Sequence, residues 1–74
     1  MFPMINTKET GKKIRETVKK SGYTAETVRE KLEISDKGSI YKWFRGETLP
    51  SLDNFLALSL LLGVTVNDLV VILK

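Results

Sequence analysis

Helix stops and helix starts recur along this chain too often for any long element to fit between them. Ser21-Gly22, Gly46 and Gly63 are residue types that end helices, and Pro50 forbids helical continuation through it. Asn6, Thr24, Ser35-Asp36, Ser51 and Thr65 are good N-caps, each just ahead of an apolar pattern. Together they cut the sequence into five short pieces. Short helices are stable only when each buries one face against the others. The expectation is an all-α fold of five helices, forming a single compact domain over residues 1–74.

The first piece starts at Asn6 or Thr7, where Asn6 and Glu9 make a capping-box-like pair, and ends at Ser21-Gly22. Gly11, Ile14 and Val18 mark its inward face, while Lys12, Lys13, Arg15, Lys19 and Lys20 read mostly as a solvated surface. The second starts at Thr24, carries Ala25, Val28 and Leu32 as its apolar stripe, and stops near Glu33. A short link through Ile34 leads to the third. Two short helices joined so closely, each with its own apolar face, favour a steep crossing, the helix-turn-helix layout, over about residues 24–45.

The third piece, Ser35 to Gly46, has Ile40, Trp43 and Phe44 at i, i+3 and i+4. Gly38, Lys42 and Arg45 fall opposite them, with Tyr41 on the flank. An aromatic back and a basic front make this segment a candidate reading head for nucleic acid. The fourth, Leu52 to Leu62, is apolar nearly all round, so it is buried on several sides or shares a face with another subunit. Thr65 caps the fifth, with Asp68 at the N3 position. It runs into Leu69-Val70-Val71-Ile72-Leu73, more apolar residues than one helical face can bury. The surplus makes either a dimer seam, through Val70, Val71 and Leu73, or a terminal strand, an alternative that β-branched Val70, Val71 and Ile72 keep open.

Charge follows this division. Through residue 48 the chain carries 11 Lys/Arg against seven Asp/Glu; the remainder carries one against two. Positive charge is thus concentrated on the part that holds the reading head, as a phosphate-facing surface requires. There is neither cysteine nor histidine, which removes the common zinc sites, thiol nucleophiles and Ser–His–Asp catalysis. No acid, base and nucleophile can be assembled into an enzyme site, and no cofactor or metal is expected. MFPMIN is too short for a signal peptide, and Phe55 to Val64 is too short to span a bilayer. A cytoplasmic protein without membrane contact is expected.

The stretches IYKWFRGETLPSLDN and LLGVTVNDL resemble the Cro/CI-type helix-turn-helix domain of phage repressors and XRE-like bacterial regulators. The first resembles that family's end of recognition helix, Arg-Gly turn and Pro-Ser start of helix four; the second its junction of helices four and five. The resemblance covers about Thr10 to Leu69. It implies a five-helix DNA-binding domain, usually a homodimer on a palindromic operator in double-stranded DNA, with the third helix in the major groove. Carried over by position, Lys37, Gly38 and Lys42 would face bases, with Ser39, Tyr41 and Arg45 beside them. Thr24 and Ala25 would sit at the backbone-contacting start of helix two. Where the family commonly pairs an Arg with a Glu, this chain has Val18 and Phe44, which should pack together instead. Arg29 replaces a small alanine, so helix three should cross more loosely or Arg29 should turn outward. The turn before helix three is about one residue longer than usual.

Repression by promoter occupancy is the function this implies. Two other readings stay open on the same residues: an antitoxin whose apolar C-terminus serves a toxin partner, and a protein-interaction module of this fold that no longer binds DNA.

Overall fold

The computed structural model describes residues 4–73. In chain order these form β1 (Met4–Ile5), α1 (Thr7–Lys20), α2 (Ala25–Lys31), α3 (Lys37–Arg45), α4 (Leu52–Leu62), α5 (Val66–Leu69) and β2 (Ile72–Leu73). All five helices begin on the expected caps. The side chains of Asn6, Thr24, Asp36, Ser51 and Thr65 each accept a backbone N–H from the first turn of their helix. Gly46 and Gly63 close α3 and α4 in the left-handed conformation.

The core gathers one stripe from each helix: Ile14 and Val18 from α1, Ala25 and Val28 from α2, Ile40 and Trp43 from α3, Phe55 and Leu58 from α4, and Leu69 from α5. Its tightest joint lies between α1 and α3. A Cβ on Gly11 would stand 2.1 Å from the carbonyl oxygen of Trp43 and 2.9 Å from the amide nitrogen of Gly46. Helix backbones therefore meet directly, with no side chain between them. Gly46 answers from the other side: its φ is +74°, and a Cβ there would stand 2.6 Å from the Cα of Lys8.

Three expectations need correction, and one alternative left open is decided. Helix two ends two residues early, at Lys31 with Leu32 as its C-cap, because Glu33 turns the chain at a φ of +55°. A glutamate carries no signal for that conformation. Helix five stops at Leu69, and Ile72–Leu73 takes the strand alternative, pairing antiparallel with Met4–Ile5. The Asn6–Glu9 box is half made: Asn6 Oδ1 accepts from the Glu9 amide, but the Asn6 amide donates to the Val71 carbonyl at 2.7 Å. Phe44 is only half-buried, unlike Ile40 and Trp43, because it lies toward α1 along an open cleft.

The first and last segments of the described residues thus meet at one point. Thr10, fully buried, receives the Val71 amide on its hydroxyl at 2.9 Å and donates to the Val71 carbonyl at 3.3 Å. In α4 the apolar residues divide cleanly. Phe55 and Leu58 face the core, whereas Leu52, Leu56 and Leu60, at i, i+4 and i+8, are 81%, 54% and 77% exposed. None of the described helices is long and apolar enough to cross a membrane.

The full capping box lies at α5, where Thr65 accepts the Asp68 amide and Asp68 Oδ2 accepts the Thr65 amide at 2.9 Å. The hydrogen bond from the Thr65 backbone, helped by that from its side chain and by the charge of Lys13, holds the Asp68 carboxyl below its ordinary range. A depressed carboxyl stabilises the fold above its unfolded value, about 3.9, and stops doing so as pH falls through the folded one. Asp68→Asn should therefore lower the thermal midpoint at neutral pH, and the gap to wild type should narrow below about pH 4. A gap independent of pH would mean that the carboxylate charge contributes nothing to the cap.

Candidate nucleic-acid interface

α3 presents its outward face as the sequence pattern requires. Ile40 and Trp43 anchor it from behind, at 0% and 5% exposure, and the C-terminal half is clamped to α1 through Gly11. In front, Lys37, Tyr41, Lys42 and Arg45 are exposed, and Gly38 and Ser39 are half-exposed. The structure thus brings six of the eight candidate DNA-contacting residues onto one short helix. Thr24 is exposed at the head of α2, where its hydroxyl accepts the Thr27 amide at 3.2 Å; Ala25 is buried, leaving only its backbone for a ligand.

Several of these side chains are held by partners that spacing did not reveal. Lys37 Nζ lies 3.5 Å from Glu26 Oε2, tying the start of α3 to α2. Arg29 bridges the same carboxylate, its Nε 2.7 Å from Glu26 Oε1, while its Nη1 donates to the Ile34 carbonyl at 3.2 Å. Arg29 therefore does not simply turn outward. It fastens the long turn between α2 and α3, residues 32–36, back onto α2. Its hydrogen bond, foremost, and its charge lower the pKa of Glu26, and the same hydrogen bond raises that of the guanidinium.

Arg45 is ion-paired with Glu47, just beyond the end of α3. Hydrogen bonding within the pair lowers the pKa of Glu47 and raises that of Arg45. A phosphate reaching Arg45 would have to take the place of that carboxylate. Lys42 has no ion-pair partner among the described residues, which leaves its ammonium available to an incoming acceptor. Tyr41 stands edge-on to Phe44, ring centroids 6.1 Å apart, with its ring half in solvent.

Gly38 has a local reason for being glycine. The Asp36 carboxylate caps α3 by accepting the Gly38 amide at 2.9 Å, and a Cβ at Gly38 would sit 3.2 Å from both carboxylate oxygens. A larger residue here would press on its own cap. Next to α3 lies a cleft of about 470 Å³ whose walls include Arg15, Lys19, Val18, Phe44, Tyr41 and Arg45. Val18 and Phe44 thus share one apolar space, flanked by three cations.

The helix-turn-helix family model matches residues 12–69 of the chain. Among solved structures, the fold is similar to the restriction-modification controller protein C.AhdI from Aeromonas hydrophila. The two share 25% identity with a TM-score of 0.77, over 86% of this chain and 96% of that one. No curated protein matches the chain.

Proposed function

From the premise that the chain belongs to the XRE-type helix-turn-helix family, we propose that it binds double-stranded DNA sequence-specifically and represses transcription by occupying a promoter. The observation that carries this reading is α3 itself: a helix anchored by Ile40 and Trp43 whose outer face offers Lys42, Tyr41, Arg45 and Lys37. Likeness to a controller protein supports a regulatory role. In this reading α3 enters the major groove, and Lys42 donates to guanine O6 or N7. Tyr41 and Thr24 meet the backbone, while Arg45 exchanges Glu47 for a phosphate. Gly38 keeps the head of the helix slim enough for close approach.

The protein acts as a homodimer in this proposal. The exposed leucines of α4 support that arrangement better than the C-terminal run does. Val70 packs against the core and the Val71 backbone is engaged by Asn6 and Thr10, so of the three expected seam residues Leu73 is the most exposed. A two-fold pairing of α4 faces would present two copies of α3 to half-sites about 34 Å apart on a palindromic operator.

Selection of bound DNA from a random pool tests the reading head. Lys42→Ala should weaken operator binding roughly tenfold or more and relax preference at one base position. Unchanged affinity and unchanged preference would remove Lys42 from the readers. A wild-type protein that enriches no sequence would favour the interaction-module reading.

A further inference from the structure

α1 has two outer faces of different construction. At about 100° per residue, Lys8, Lys12, Arg15 and Lys19 recur at i, i+4, i+7 and i+11 and share a sector of about 60°. All four are exposed, and none has an ion-pair partner among the described residues. A second sector of about the same width holds Glu9, Lys13, Glu16 and Lys20, in which the charges cancel.

The wholly cationic sector lies on the side of α1 that meets α3. Gly11, between Lys8 and Lys12 in sequence, is in backbone contact with Trp43, and the Lys8 backbone lies against Gly46. Farther along, Arg15 and Lys19 line the cleft whose opposite wall is Tyr41 and Arg45. The other sector turns elsewhere, since Lys13 lies near enough to Asp68 of α5 to influence its carboxyl. Like charges at i, i+4 oppose one another and weaken an isolated helix. A row of them, fixed beside the reading face by backbone contact, is suited to a partner that is itself a row of negative charges.

We propose that Lys8, Lys12, Arg15 and Lys19 form a second DNA-contacting surface, a rail that binds the phosphate backbone beside the groove entered by α3. The proposal rests on the DNA-binding reading above. From Lys8 to Lys19 the rail is about 16 Å long at 1.5 Å per residue, longer than the reading helix at about 12 Å from Lys37 to Arg45. Such contacts set orientation and general affinity and carry no base information.

Two double variants with the same change in net charge test it: Lys12→Ala/Lys19→Ala on the rail, and Lys13→Ala/Lys20→Ala on the mixed face. Each is titrated with selected operator and with random-sequence duplex over a range of salt. The rail variant should lose affinity on both duplexes, and its log–log salt slope should fall by up to about 1.8, at about 0.9 per phosphate. Base preference should stay as in wild type, and the mixed-face variant should keep the wild-type slope. Equal slopes for the two variants, or a shift in neither, would overturn the rail while leaving DNA binding by α3 intact. A wild-type protein that binds no duplex would overturn the DNA-binding reading and the rail together.

Discussion

Gly11→Ala is expected to destabilise the fold by about 3 kcal/mol, read as a lower urea midpoint at unchanged slope. Helix propensity alone gives the opposite sign, since alanine is better than glycine inside a helix by about 1 kcal/mol. The steric term wins because the added methyl would lie 2.1 Å from the Trp43 carbonyl oxygen, and backbone cannot swing aside as a side-chain tip can. For a chain of this size, with total stability of roughly 4–11 kcal/mol, that loss is a large fraction of the whole. Gly22→Ala is the comparison: its φ is +80° but nothing lies within 4 Å of the added carbon, so only conformational strain of about 1–2 kcal/mol is expected. A Gly11→Ala protein as stable as wild type would show that α1 and α3 do not meet backbone to backbone.

Leu56→Lys combined with Leu60→Lys should separate the proposed dimer and lower operator affinity by about 10²–10⁴-fold, the advantage lost when two linked half-site contacts become one. The fold itself should hardly change, because the two side chains are already 54% and 77% exposed. Thermal unfolding then reports the fold, sedimentation the assembly and operator titration the function. If sedimentation is the same for wild type and variant, α4 is not the seam. A dimer that persists in the variant would return attention to Leu73 and the edge of the two-stranded sheet.

How much of this was legible beforehand depended on whether the deciding contact is local. All five helix starts were, because a cap and the amide it accepts are two or three residues apart. The buried back of α3 was legible too, since Ile40 and Trp43 are set by periodicity alone. The pairing of Met4–Ile5 with Ile72–Leu73 was not readable at its N-terminal end, where two residues find partners at the far end of the chain. Where the Arg29 side chain goes was not legible, because its hydrogen bond to Ile34 depends on how the turn after Glu33 folds back. In the candidate site, residue identities on α3 were legible, but their engagement was not: spacing gave no sign that Glu26 would hold Lys37 or that Glu47 would hold Arg45. The cationic sector of α1 was present in the spacing of Lys8, Lys12, Arg15 and Lys19. What turns it from a solvated face into a flank of α3 is the missing side chain at Gly11.

The fastening of Thr10 to Val71 has a consequence for synthesis on the ribosome. Thr10 is fully buried, and its hydroxyl is satisfied by a backbone group 61 residues downstream. Until that residue has left the exit tunnel, the Thr10 hydroxyl lacks its native partner, and α5 and β2 cannot close over it. The finished interior must wait until Val71 has emerged. Truncation a few residues short of Val71 would therefore remove more than a frayed tail: it would leave the first helix without the partner that completes its burial.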